Sequence, residues 1–278
     1  MHRLVTITTV YNRKKTTLKC LKSLIYSCNL SGVDAVHFIV DDNSSDGTSE
    51  AIRRYFPFVN ILHGNGALYW AGGMRHCFSR IKGICSYDFL IAYNDDCIFK
   101  PNSIKDLLSG FEPSFGRVGI VVGSLLNPNN RRISYGGRVL RWKSCWLPPS
   151  FNLAIPSVDN YIEVDSLNMN LCCIKFSLVN HIGFLDKHYS HSIADYDFGL
   201  RAKKAGYRIL LAPSTLGYCS NNSLLGTSRE KGLSVCARTK RIFSIKEYPL
   251  FPMIHYYKSH AGMLWPIWLV LFYISRFL

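Results

Sequence analysis

Three apolar, β-branched runs near the start of the chain each end on a polar or acidic cluster, with helix-patterned segments between them. Leu4 to Val10 runs into Tyr11-Asn12-Arg13. Val36 to Val40 runs into Asp41-Asp42-Asn43-Ser44-Ser45-Asp46-Gly47, and Phe89 to Tyr93 into Asn94-Asp95-Asp96. Thr16 to Ser27 carries Leu18, Leu21, Leu24 and Ile25 at helical spacing. Thr48 to Tyr55 and Trp70 to Ile81 also read as helices, and Phe58 to Leu62 as a further strand. Strand–helix alternation implies right-handed crossovers and a mainly parallel, twisted α/β sheet flanked by helices. In such a sheet, ligands bind in the crevice beyond the carboxyl ends of the strands. That is where the three polar clusters fall; plain turns would have offered Gly, Asn and Ser instead.

The middle of the chain reads as shorter strands: Val118 to Val122, Ile133 to Leu140, Tyr161 to Val164 and Leu171 to Phe176. Ala194 to Ala205 has a helical pattern with Gly206 as its stop, and Tyr207 to Leu211 returns to strand. This predicts one α/β domain over residues 1–225 and a helical extension over 226–278. The extension begins basic and amphipathic, from Arg229 to Lys246, and becomes mostly apolar from Ala261 onward. A spanning helix needs ~20 apolar residues, and this stretch is marginal. Tyr256, Tyr257, Trp265, Trp268 and Tyr273 beside Lys258 and Arg276 suit a helix lying in a membrane interface. The alternative is a helix packed on the domain.

Lys and Arg outnumber Asp and Glu by 33 to 18, a formal charge of +15 that calls for an anionic partner. The basic residues are dispersed and accompany no nucleic-acid-binding motif, so phosphorylated ligands and acidic headgroups are expected, not nucleic acid. The ten cysteines show no paired metal-ligand spacing. The apolar run at the N-terminus is too short for a signal-peptide core. We therefore expect reduced, mostly buried cysteines in a cytoplasmic protein, peripheral on the inner face of the membrane.

Two carboxylates at one strand end repel each other. Asp95 and Asp96 therefore suit a hard divalent cation shared with substrate phosphates, or else form an acidic turn. Asp42, at the end of its strand, can accept a hydrogen bond from a pyrimidine ring N–H; the rest of its segment has the chemistry of a turn and helix cap. Asp195 and Asp197 open a helix whose dipole favours them, and Arg201 is placed to pair with Asp197. Asp195 can serve as a general base, although the same pattern caps ordinary helices. Asn168 and Asn170 suit sugar hydroxyls or a loop turn, and Trp70 a sugar face or the core.

Together these segments resemble a family 2 glycosyltransferase of the GT-A fold, over about residues 3 to 220. The matching pieces are Val5 to Arg13, VDDNSSDGT at 40–48, NDD at 94–96 and DYDFGLRAKKAG at 195–206. The finer likeness is to rhamnosyltransferase-like enzymes of bacterial surface polysaccharide (O-antigen) synthesis. The resemblance implies a nucleotide-sugar donor (UDP-, dTDP- or GDP-linked) held by Thr9, Tyr11, Asn12, Arg13, Asp42, Asn65, Gly73, Asn94 and Asp95. It implies Mg2+ or Mn2+ on Asp96, assisted by Asp95, and Asp195 as the base of a single inverting displacement. Trp70, Asn168, Asn170, Asp197 and Arg201 become candidate sugar or acceptor contacts. The acceptor would be a saccharide or lipid-linked saccharide, reached at a membrane surface through the C-terminal tail. Two departures stand out: Ala194 replaces the acidic residue that usually precedes the base, and Gly217-Tyr218-Cys219-Ser220 lacks the usual His. The Q-x-x-R-W motif of processive members is absent, since the chain contains no glutamine. A nucleotidyltransferase would need a Gly-rich basic loop after the first strand, where Thr9 to Arg13 stands instead. A non-catalytic protein of the same fold would have little reason to keep all four acids.

Overall fold

The computed structural model describes residues 3–83, 87–142 and 146–277. The first half alternates β1 (Arg3–Val10), α1 (Lys14–Leu30), β2 (Asp34–Asp41), α2 (Thr48–Tyr55), β3 (Asn60–His63), α3 (Tyr69–Ile81) and β4 (Phe89–Tyr93). There follow β5 (Ile98–Phe99), α4 (Ser103–Ser109), β6 (Val118–Val122), β7 (Leu125–Leu126), β8 (Ile133–Tyr135), β9 (Gly137–Leu140) and β10 (Phe151–Leu153). The remainder holds β11 (Ile162–Val164), β12 (Ser166–Leu167), β13 (Leu171–Lys175), α5 (Phe176–Ile182), α6 (Ala194–Lys204), β14 (Arg208–Leu211) and β15 (Gly217–Tyr218). Helices α7 (Val235–Ile242), α8 (Leu250–His260) and α9 (Trp265–Ile274) complete it.

Eight strands form one sheet in the order β11-β14-β6-β13-β4-β1-β2-β3. It is mainly parallel: β13 runs against β4 and β6, and β11 against β14. Every residue of β4 and β6 is buried, as expected of strands covered on both faces. Alternate residues serve opposite layers. Val5 and Ile7 meet α3 and α6 on one side, while Leu4 meets Cys20 and Leu24 of α1 on the other. Gly73 lets α3 come close to β1, because a Cβ there would stand 2.4 Å from Thr9. After β1 the chain builds β2 and β3 on one side and then returns to place β4 on the other. The resulting switch point opens a crevice between β1 and β4.

Two expectations shift in detail. The third strand is Asn60–His63, because Phe58 lies exposed before it. The run Ile133 to Leu140 splits at Gly136 into β8 and β9, which join different small sheets. The C-terminal segment packs on the domain. Met253, Tyr256, Tyr257 and Leu269 enter the core cluster that contains α3 and α6. His260 Nε2 meets Asp197 at 2.8 Å, and His255 Nε2 meets Asp186 at 3.3 Å. The opposite side of α9 is apolar and exposed, at Ile267, Val270, Leu271 and Ile274. One face of α9 is thus packed on the domain and the other is apolar and exposed. Among the described residues, no helix is long and apolar enough to cross a membrane.

Candidate active site

Much of the chemistry-rich sequence after β1 and β2 builds the loops themselves. Asp46 accepts the Lys14 N–H at 2.9 Å and so caps α1 from a neighbouring loop. Asp41 accepts the Ser44 N–H at 2.8 Å and the Ser49 hydroxyl. Asn12 Oδ1 accepts the Ser45 N–H at 2.7 Å, and Ser44 Oγ accepts the Asn12 N–H at 2.9 Å, which ties the two loops together. Asp42 is buried and accepts backbone N–H groups of Gly66 (2.8 Å), Leu68 (3.0 Å) and Tyr69 (3.2 Å). A nucleobase reaching Asp42 must share those oxygens with the loop ahead of α3. Thr9 and Gly73 form the β1–α3 contact, and the Thr9 hydroxyl points to the Trp70 carbonyl at 3.5 Å. Asn65 accepts the Ala67 N–H, whereas Tyr11 stands exposed with its ring toward solvent. Trp70 packs against the core, and its Nε1 is buried without a hydrogen-bond partner.

At the end of β4, charge compensation comes first from the protein. Arg13 Nη1 lies 3.1 Å from Asp95 Oδ1 and 2.9 Å from Asp96 Oδ2. Asp95 is buried and also accepts the Thr17 hydroxyl at 3.2 Å. Burial, with help from the Asp96 charge, pushes its pKa up to about 6 against the pull of Arg13. The two carboxylates hold Arg13 firmly protonated, against the cost of its own burial. Asp96 is the more open acid, with its side chain 25% exposed. Its Oδ1 turns from Arg13 toward the thiols of Cys219, at 3.5 Å, and Cys97, at 3.9 Å. These O, S and S atoms lie within 4.8 Å of one another, a donor set able to hold a divalent cation. Asn94 Oδ1 is buried beside them without a partner.

The expected base sits in the wall built by the first turn of α6. Asn168 Nδ2 donates to Asp195 Oδ2 at 3.3 Å, and Asp195 Oδ1 accepts the Tyr196 N–H at 2.9 Å. Arg138 Nε in turn holds Asn168 Oδ1 at 2.9 Å. Burial raises the Asp195 pKa, opposed by Asn168, the Tyr196 N–H and the Arg138 charge. Ala194 is fully buried, and polar support for Asp195 comes from Asn168, itself held by Arg138. The chain enters α6 through Ile193 at φ 59°, a left-handed conformation that β-branched residues rarely take. Asn12, Asn43 and Tyr69, on the other crevice loops, also have positive φ. Such strain gathers at functional sites. Two contacts join this wall to the strand ends. The Ala71 N–H donates to the Ser190 carbonyl at 3.0 Å, and the Asn94 N–H to the Asn170 carbonyl at 3.2 Å.

Four of the candidate sugar contacts sit in hydrogen-bond networks of the protein itself. Asp197 is buried and bound by Arg201 Nε at 2.7 Å and His260 Nε2 at 2.8 Å. Arg201 spends its other nitrogens on the Ile182 and Phe184 carbonyls, at 2.9 and 2.7 Å. These two residues lock α6 to its neighbours. Asn168 serves Asp195 and Arg138. Asn170 lies at the thiol cluster, its carbonyl accepting from Cys97 Sγ at 3.4 Å. Arg138, Tyr196 and Cys219 went unassigned in the sequence. Cys219 had a signal, since it occupies the stretch where the usual His is missing; Arg138 had none.

Seven of the eight described cysteines are buried and none of the eight is in a disulfide; Cys85 and Cys145 lie outside the described residues. A separate cavity of about 980 Å³ opens at the amino end of β4, lined by Lys82, Phe111 and Lys175, and none of the crevice acids reaches it.

Residues 6–158, more than half of the chain, match the model of glycosyl transferase family 2. Comparison with curated proteins gives no match. Among solved structures, the fold resembles S. aureus TarS 1–349 with a TM-score of 0.52 and 16% identity, over 79% of this chain and 60% of that one. The chain thus spans well under two thirds of that structure. It also resembles the mannosyltransferase PcManGT from Pyrobaculum calidifontis, in complex with GDP-Man and Mn2+, with a TM-score of 0.54 and 13% identity, over 99% of this chain and 73% of that one. With its mainly parallel sheet, its strand-end acids and the family match over β1 to β10, this chain belongs to glycosyl transferase family 2 and has the GT-A fold.

Proposed function

We propose that residues 1–225 transfer a hexose from a UDP-, dTDP- or GDP-sugar to a saccharide acceptor, in one inverting displacement. The observation that carries this is the presence of two partly buried carboxylates at neighbouring sites, Asp96 just after β4 and Asp195 at the start of α6. Arg13 and two thiols surround Asp96, and Asn168 with the Tyr196 N–H holds Asp195. Asp195 takes the proton from the attacking acceptor hydroxyl, and its raised proton affinity fits that task. Asn168 and the Tyr196 N–H orient its two oxygens. Arg13 presents a fixed positive charge where the donor diphosphate must lie, and Asp42 faces the base side. Asp96 would hold Mg2+ or Mn2+, which offsets charge on the departing nucleoside diphosphate; the Mn2+ and GDP-Man bound by PcManGT support this reading.

The acceptor is a lipid-linked saccharide of cell-surface polysaccharide synthesis, of the rhamnosyltransferase-like kind, and the enzyme works on the cytoplasmic face of the membrane. Supporting this, residues 226–278 carry an exposed apolar face on α9 and the basic helix α7. Thermal shift with UDP-, dTDP-, GDP- and CMP-sugars, each with and without divalent metal, tests the donor side. Base-selective stabilisation that needs metal supports the proposal; no shift with any donor under any condition would count against it.

A further inference from the structure

The donor set beside Asp96 points to a particular kind of ion. The register of β5 and β15 brings it together, pairing Gly217 with Phe99 and Tyr218 with Ile98 in antiparallel fashion. Continued one step beyond its last pair, that register sets Cys219 opposite Cys97, and both thiols reach Asp96 Oδ1. Gly217 makes the approach feasible, because a Cβ there would stand 2.4 Å from the Ile98 carbonyl oxygen. Both sulfurs are buried, at 0% and 2% exposure, and Asp96 closes the cluster on its more open side. Asn170 steadies both thiols: its carbonyl accepts from Cys97 Sγ at 3.4 Å, and its Nδ2 lies 3.8 Å from Cys219 Sγ.

These spacings suit a tetrahedral ion. With metal–sulfur bonds of about 2.3 Å and a metal–oxygen bond of about 2.0 Å, tetrahedral angles leave oxygen and sulfur about 3.5 Å apart. The observed separations from Asp96 Oδ1 are 3.5 Å to Cys219 and 3.9 Å to Cys97. Mg2+ demands octahedral oxygen ligands and has no use for thiolates, whereas Zn2+ and Co2+ accept them readily.

We infer that Asp96 Oδ1, Cys97 Sγ and Cys219 Sγ form a three-ligand site for a thiophilic divalent ion, Zn2+ or Co2+ in preference to Mg2+, with a fourth position left for a substrate oxygen. The inference rests on the proposed metal role of Asp96 and replaces an all-oxygen shell with a mixed one. Binding displaces both thiol protons, so metal uptake releases acid.

The test is titration of the reduced, full-length protein with Co2+ under anaerobic conditions, without donor or acceptor. A thiolate-to-cobalt charge-transfer band is expected, competed away by Zn2+ and not by equimolar Mg2+. Cys219→Ser and Cys97→Ser should each lower Co2+ affinity at least ~10-fold, the loss typical even of a supporting partner. Cys236→Ser, at the exposed cysteine of α7, should leave the band unchanged. Zinc-edge X-ray absorption of the native protein should find two sulfur neighbours, which needs no variant to fold. An all-oxygen or oxygen–nitrogen shell, or Co2+ binding indifferent to Cys219, would overturn the inference. Glycosyl transfer with Mg2+ alone would in that case still leave the glycosyltransferase reading standing, so the two failures are separable.

Discussion

The turn after β4 and the first turn of α6 each present two carboxylates, and each treats its pair unequally. Asp95 is buried against Arg13 and Thr17, while Asp96, which shares Arg13, stays partly exposed and turns its other oxygen toward two thiols. Asp197 is buried against Arg201 and His260, while Asp195 is held only by Asn168 and one backbone N–H. In both places the more deeply buried acid is part of the scaffold. The more open acid keeps capacity for a reacting group. A buried carboxylate that must stay charged needs a full counter-charge, whereas one that must exchange a proton or a ligand cannot be fully committed.

Exchanging the roles is the way to break this comparison. Asp195→Asn should lower kcat by about 10²–10⁴-fold, the range of general base catalysis, with donor binding and melting temperature unchanged. Asp96→Asn should cost a similar factor but also abolish metal-dependent donor stabilisation, which donor calorimetry would register. Asp197→Asn should do the reverse. Leaving Arg201 and His260 uncompensated should cost on the order of 3 kcal/mol of stability by chemical denaturation, with kcat per folded molecule within a few-fold of native.

The pH profile sharpens the same contrast with a smaller effect. Asp195 must be deprotonated to act, and burial raises its pKa. Activity should therefore fall as pH drops through a value above the ordinary aspartate range, mainly in kcat. Asp95, pushed up to about 6, should add an acid-side loss of donor affinity seen in KM. A kcat limb confined to the ordinary range would contradict the raised base. The smallest expected effect lies at α9. Val270→Ser with Leu271→Ser should weaken sedimentation with anionic vesicles several-fold while leaving the melting temperature in place, because both side chains are exposed. Unchanged vesicle binding would remove α9 from the membrane proposal.

How far the sequence led differs between these regions for physical reasons. Strands β1, β2 and β4 were legible because parallel strands covered on both faces read as unbroken apolar runs. Helix α6 was legible because its periodicity ends at Gly206, which takes φ 79° just past the helix. The two-residue strands β5, β7, β12 and β15 carry no period to detect, yet the β5–β15 ladder sets Cys219 beside Cys97. The acids were sorted only through the family resemblance. Asp95 and Asp96 look alike in local sequence, as do Asp195 and Asp197, and in the structure burial separates them. Arg13 also pairs with the acids after β4, a contact 82 residues apart that no local pattern encodes. Arg138 reaches Asn168 across a shorter gap of 30 residues.

The most direct test is single-turnover transfer measured in parallel on Asp195→Asn and Asp197→Asn, with donor affinity and folded fraction measured on the same samples. The account predicts that Asp195→Asn folds and binds donor normally but does not transfer, while Asp197→Asn is less stable yet transfers at a near-native rate per folded molecule. Near-native transfer by Asp195→Asn, or a stable but inactive Asp197→Asn, would contradict it.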